Sequence, residues 1–422
     1  KHTCGHVAAN DIKPRPPPSA RTLFLVCVSC SHLQWRASLQ QAGPTSGPQA
    51  AMRPALSVAL LFCFLPSSLA LPPYGLQESY LGGGGTDFFS KWDFWAAADP
   101  SGGSVEYVDQ ETAIGAGIAS ATASQAYLGM DMVSTVARRK SVRIQSKAIY
   151  NAGLFVADVQ HAPTGCGTWP AFWLYGEDEA HRWPAWGEYD IIEGVHDDSS
   201  TLTTLHTAAE CQQSQIRPGE DFTETWGHGT SSLPASNCDV NAPGQWKNQG
   251  CSQAGPQGSM GSSFNTGGGG TFAAEWDPEA GHIQAWFWPR GMEPGDLKAK
   301  NPEPESWGMP YSFFSLDPAS CSSDHFQNMR VVFNINLCGD LGAAKFAEGC
   351  PEEAKTMTCE EMVADPDRMQ EAFWMLSGLD VYARGATTAA PPSEPSPGSP
   401  WIFADEGVPS QQGEPLPEPP QP

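Results

Sequence analysis

Short stretches of alternating apolar and polar residues, separated by Gly, Pro, Asn and Asp, run along most of the chain between Tyr74 and Tyr382. A period of two puts successive side chains on opposite faces of an extended backbone, so the pattern predicts half-buried strands. It predicts them at Ser141 to Ile149, Leu154 to Gln160, Tyr189 to Val195, Thr201 to Thr207, Thr271 to Trp276, His282 to Trp288, Val331 to Leu337 and Leu376 to Tyr382. Helical periodicity is scarce. Only Pro351 to Ala372, opened by Glu352, Glu353 and Ala354 and interrupted by Pro366, reads as one or two short helices. The glycine runs Gly82 to Gly85 and Gly267 to Gly270 have no Lys-Ser or helix after them, so they read as flexible turns and not as phosphate cradles. No repeat period emerges. Many short strands in about 310 residues indicate one all-β domain, a β-sandwich or jelly roll.

One stretch breaks the simple alternation. WPAWGEYDIIEG, Trp183 to Gly194, sets Glu188, Asp190 and Glu193 within six residues among aromatic and branched apolar side chains. On a helix, offsets of two and five residues would scatter the acids. On a strand Glu188 and Asp190 share a face, and Glu193 joins them only if one extra residue is inserted after Asp190. With that bulge the three Cα atoms span roughly 13 Å, at about 3.3 Å per strand step. Two glutamates leaning inward could then bring their carboxyls to about 5 to 5.5 Å, the separation of a retaining glycosidase pair. The bland alternative is a solvated polar strand face, which Trp186, Ile191 and Ile192 in the same segment argue against.

Composition narrows the setting. The first residue is Lys1 and the first methionine is Met52, so residues 1–51 read as upstream sequence or a gene-model error. Residues 52–70 have the form of a secretory signal: Arg53, the apolar run Leu56 to Leu65, and small residues at Ser68-Leu69-Ala70. The run is too short to span a bilayer comfortably, and no membrane span is predicted. The segment 71–384 is the expected catalytic domain. Residues 385–422 hold eleven prolines, five acids and no base, the composition of a disordered tail, and lack the hydrophobic end of a GPI signal. Beyond residue 70 there are 17 basic and 46 acidic residues, a formal charge of −29. Such a surface excludes nucleic acid and anionic membranes as partners and is compatible with a neutral polysaccharide. Eight cysteines in that part fit an oxidising compartment and up to four disulfides, and because no close CxxC pair lies among those eight, zinc is disfavoured there. Cys238 with Cys251 and Cys350 with Cys359 could each close a local loop. No N-x-S/T triplet occurs after residue 70.

The motif Glu188-Tyr-Asp190-Ile-Ile-Glu193 resembles the signature of glycoside hydrolase family 16, in the bulged form of laminarinase-like endo-β-glucanases. GCGTWPAFWLYG (Gly165 to Gly176), TLHT (Thr204 to Thr207 with Leu205 and His206 at its centre), NCDVNAPGQWKNQGC (Asn237 to Cys251), WFWPRG (Trp286 to Gly291) and VVFNINLCGD (Val331 to Asp340) agree with it. The likeness covers about residues 74 to 384 and is nearest to secreted fungal members. It implies a jelly roll with an open substrate cleft and retaining hydrolysis of β-1,3 or mixed β-1,3/1,4 glucan. A cell-wall transglycosylase with the same residues and a non-catalytic glucan-binding protein on the same fold are the rival readings. The resemblance implies Glu188 as nucleophile, Glu193 as acid/base and Asp190 as their assistant, in a monomer needing no organic cofactor. It also allows a structural calcium, whose ligands the sequence does not locate. Trp186 departs from the family pattern, where small or polar residues are common.

Flat pyranose faces bury well against indole, which gives the tryptophans a use in such a cleft. Trp169 and Trp173 share strand parity, and Trp183 precedes the acids. For each the core reading competes with the cleft reading; the resemblance tips Trp173 and Trp183 toward sugar binding, with Trp169 and Trp186 weaker, and leaves Trp286 and Trp288 in the core. If the turn His196 to Ser200 closes a hairpin centred near Asp198, His206 comes opposite Asp190 and faces the carboxylates, where a purely structural strand histidine is the alternative. His196, Asp197 and Asp198 read as a solvated turn in preference to a metal site, so no metal ligand is assigned.

Overall fold

A computed structural model describes residues 71–81, 88–230 and 232–386 of the protein. The upstream segment, the signal peptide, the Gly82 to Gly85 run and all but the first two residues of the 385–422 tail lie outside the described residues.

Two large antiparallel sheets take up the alternating stretches. The first runs β15 (Ser312–Ser315), β14 (His282–Pro289), β13 (Gly270–Asp277), β8 (Gly153–His161), β17 (Trp374–Arg384), β5 (Ala126–Leu128), β4 (Ala119–Ala121), and β1 (Tyr74–Ser79) also pairs with β17. The second runs β12 (Cys251–Ala254), β11 (Leu202–His206), β10 (Glu188–Glu193), β9 (Thr168–Gly176), β16 (Met329–Leu337), β7 (Arg143–Ser146), β2 (Trp92–Phe94). A separate parallel pair joins β3 (Val105–Tyr107) to β6 (Arg139–Ser141).

One core lies between the sheets. Phe155, Ala157 and Val159 of β8 and Phe272, Ala274 and Trp276 of β13 meet Phe172 and Leu174 of β9, Tyr189, Ile191 and Ile192 of β10, and Val331, Phe333 and Ile335 of β16. Phe172 stacks on Phe333 at 4.4 Å, and Phe333 packs edge-on against Trp374 of the opposite sheet. Each such side chain contributes about 1.5–3 kcal/mol by leaving water, which fixes strand parity and leaves the alternate residues of the second sheet facing outward. That outward face carries Trp173, Glu188 and Glu193.

Several expectations need correction. The stretch from Ser141 to Ile149 is not one strand: Ser141 ends β6 and Arg143 begins β7, because the chain passes at Val142 from β3 to β16 as its partner. The helix Gly339–Gly349 has no local sequence signal, since its Gly- and Ala-rich sequence has neither a capping residue nor an apolar stripe. Pro351 to Ala372 does hold one short α-helix, Cys359–Ala364, opened by a Thr358/Glu361 capping box and flanked by single 3-10 turns. Gly268 and Gly269 form a left-handed turn between the helix Gly261–Thr266 and β13. Trp286 is buried, but with Trp288 and Trp307 it packs with Tyr74, Leu154 and Tyr382 in a small cluster separate from the main core.

Cys238–Cys251 is a disulfide, as the spacing suggests. Cys350 with Cys359 is not. The remaining bridges are Cys166–Cys350, Cys211–Cys321 and Cys338–Cys359. Cys338 and Cys350 flank the helix Gly339–Gly349, which turns them to separate partners, and the bridge from Cys350 ties that helix to the segment leading into β9.

Candidate active site

The acidic strand is bulged. Against β11, Asp190 pairs with Thr204 and Glu193 with Leu202; against β9, Asp190 pairs with Trp173 and Glu193 with Ala171. Three steps on β10 therefore oppose two on each neighbour, which returns Glu193 to the face of Glu188 and Asp190 while both isoleucines stay in the core. A bulge frees ladder groups that must find other partners. The Ile191 carbonyl accepts from Thr203 Oγ1 at 3.0 Å and from Tyr311 OH at 3.4 Å, and the two hydroxyls lie 2.8 Å apart. The Glu193 N–H donates to Thr201 Oγ1 at 2.9 Å.

Two indoles grip the outer acids. Trp183 Nε1 donates to Glu188 Oε2 at 2.6 Å, and Trp169 Nε1 donates to Glu193 Oε1 at 2.9 Å. Trp173 sits opposite Asp190 and donates to Asn334 Oδ1 at 2.8 Å. His206 pairs with Glu188 and not with Asp190: the Glu193–Leu202 pair centres the hairpin between Asp197 and Asp198 and not on Asp198, and the bulge uses up one further residue of β10, so the register moves by two. Its side chain still reaches both acids: Nε2 lies 3.0 Å from Asp190 Oδ2 and 3.9 Å from Glu188 Oε1. Trp186 stacks on His181 at 4.1 Å in the loop before β10.

Burial, and after it the neighbouring Asp190, push the Glu188 carboxyl up to about 8. Asp190 is raised well above the usual carboxylate range, by burial first and then by Glu193. These carboxyls cannot all ionise together, so protons are shared, and the indole N–H of Trp183 favours the charged form at Glu188.

Strand register places two further residues on this face, Arg143 and Asn334, that alternation alone does not single out. Arg143 opposes Asn334 across β7 and β16, and its guanidinium lies over the rings of Trp95, Trp173 and Tyr175 at 4.5, 4.9 and 5.5 Å. The alternation of Arg143 with Gln145, and of Asn334 with Asn336, was the available signal. His196 to Asp198 form the expected turn, yet it is not solvated throughout. His196 is buried and accepts from the Gly167 N–H at 2.9 Å, and Asp197 accepts from Thr164 and from the Ser262 N–H.

Among the described residues, two groups could share an ion: Cys166, Cys350 and Glu353, whose thiols form a disulfide, and Glu188, Asp190 and His206. Neither offers the all-oxygen shell of six or more donors that calcium takes, so neither fits a structural calcium.

A jelly roll whose open face carries a carboxylate set gripped by indoles defines a carbohydrate-cleaving class. The family model described as the XgeA-like catalytic domain of glycoside hydrolase family 16 matches residues 92–382. The chain belongs to glycoside hydrolase family 16. It is 36% identical over 341 residues to an endo-1,3(4)-β-glucanase of Arthroderma benhamiae, covering 79% of this chain and 70% of the relative. A probable glycosidase of Schizosaccharomyces pombe is 35% identical, with 73% and 69% covered. The Emericella nidulans endo-1,3(4)-β-glucanase xgeA is 34% identical; 74% of this chain aligns, spanning 48% of that relative. Laminarinase 16A of Phanerochaete chrysosporium, solved with β-glucans in donor and acceptor sites, superposes with a TM-score of 0.63 at 34% identity, over 74% of this chain and 99% of that one. An elongating family 16 β-1,3-glucosyltransferase gives the same TM-score at 33% identity, over 74% and 100%.

Proposed function

We propose that the protein is a secreted endo-β-glucanase hydrolysing β-1,3 or mixed β-1,3/1,4 glucan with retention at the anomeric carbon. The observation that carries this is the bulge, which sets Glu188 and Glu193 on one open face, each held by an indole N–H. The Glu188 carboxylate attacks the anomeric carbon while Glu193 gives its proton to the leaving glycosidic oxygen, forming a glycosyl ester on Glu188. Glu193, now a carboxylate, takes a proton from water, the hydroxide attacks the anomeric carbon, and the ester bond to Glu188 breaks. One proton is shared by the Glu188–Asp190 pair; during attack it sits on Asp190 and is donated toward Glu188, so that the nucleophile is then the ionised member. Trp173 and Trp183 serve as sugar platforms, with Trp169, Trp186 and His206 as further contacts.

Secretion rests on the signal-like residues 52–70 and is compatible with four disulfides. In the described residues no helix is long and apolar enough to cross a membrane. A monomer without organic cofactor suffices for this chemistry. The likeness to a glucosyltransferase supports one second reading, in which a sugar hydroxyl instead of water takes the glycosyl group from Glu188. Both are tested by product analysis on laminarin, lichenan and xyloglucan. Glu188→Ala should lower cleavage by about 10⁴-fold or more, and Glu193→Ala should retain cleavage of an aryl glycoside whose leaving group needs no proton. Longer products in place of shorter ones would identify the transferase; no cleavage of any glucan by the wild type would refute the hydrolase.

A further inference from the structure

Glu188, Asp190 and His206 each offer one ligand atom, and these atoms all lie within 4.8 Å of one another. The His206 Nε2 to Asp190 Oδ2 and Glu188 Oε1 distances, 3.0 and 3.9 Å, bracket the separation of neighbouring donors around an ion with bonds of about 2.0–2.2 Å. Buried polar atoms ordinarily have hydrogen-bond partners. Here Asp190, only 2% exposed, leaves Oδ2 without one, because the nearby imidazole nitrogen is close but not aligned for a hydrogen bond. His206 is 8% exposed, so its ring too is fixed by burial. Trp183 holds Glu188 through Oε2, leaving Oε1 as the atom nearest His206.

The donor set selects the ion. One imidazole nitrogen and two carboxylate oxygens suit zinc or copper, whereas calcium and magnesium prefer all-oxygen shells in which the imidazole nitrogen has no place. The geometry points to a site for a borderline divalent cation, Zn²⁺ or Cu²⁺, on Glu188, Asp190 and His206, with solvent filling the rest of the shell. An ion there ties up the carboxylates assigned to attack and assistance, so the site is inhibitory. That consequence rests on the function proposed above; the binding itself does not.

The test is calorimetric titration of the full chain with ZnCl₂, with CaCl₂ and MgCl₂ alongside, for the wild type, His206→Gln and His282→Gln. His282 lies on the other sheet beside Glu275 and serves as a control histidine–carboxylate pair. The expected result is one zinc per chain, binding weakened about tenfold or more by His206→Gln and unchanged by His282→Gln. Thermal unfolding reports whether His206→Gln folds, and Glu188→Gln replaces it if it does not. Absence of zinc binding, unchanged binding in the folded His206 variant, or equal affinity for calcium overturns the site. In parallel, zinc should inhibit laminarin cleavage, with recovery on adding EDTA. A wild type that ignores laminarin without zinc refutes the functional reading, while the titration still decides the ion site.

Discussion

Glu188 sits where ionisation is costly, and its pH behaviour follows from that. Unfolded, a glutamate loses its proton near pH 4.3; folded, burial and Asp190 hold the Glu188 proton to about 8. Between those values the folded state binds more protons than the unfolded one, so this residue makes stability fall as pH rises. The penalty is absent below about pH 4 and complete above about pH 8. Glu188→Gln should therefore gain little at pH 4 and about a few kcal/mol at pH 8, read by chemical denaturation; a gain independent of pH would contradict the assignment. Asp190→Asn removes the carboxyl that shares a proton with Glu188 and raises it, so the acidic limb of kcat/KM should move to lower pH while kcat falls. At this scale the sequence was informative about the acids, since three carboxyls amid apolar residues demand an explanation. It said less about Arg143 and Asn334, whose importance depends on which strands lie beside β10, and it gave Trp169 no hint of its bond to Glu193.

The bulge of β10 was legible as a requirement, because only an inserted residue puts Glu193 with the other acids. What holds it was not. Thr203 and Tyr311 meet at the Ile191 carbonyl from distant parts of the chain, and no local pattern links them. Thr203→Val should destabilise the fold by about 1–3 kcal/mol, the usual cost of a buried carbonyl losing its main partner, and lower kcat by misplacing Glu193. Thr203→Ser, which keeps the hydroxyl, should restore both; equal losses in the two variants would show that the methyl matters instead. The disulfides divide in the same way. Cys238 and Cys251 close a loop of 13 residues and were readable from spacing, whereas Cys166 finds Cys350 184 residues away only once the helix Gly339–Gly349 is docked.

For the molecule as a whole, alternation was enough to announce an all-β sandwich, because each strand must bury one face between the sheets. Strand order was not contained in it: β9 and β16 lie side by side although more than 150 residues separate them. The acidic surface and the open sheet face together suit a long neutral polymer, which can cross the strands without entering a closed pocket. The central claim is that Glu188 attacks the anomeric carbon and that a second displacement restores its configuration. ¹H NMR of the first products released from laminarin tests it most directly. The β-anomer should appear first and mutarotate to the α-anomer, and an α-anomer formed first would contradict the account.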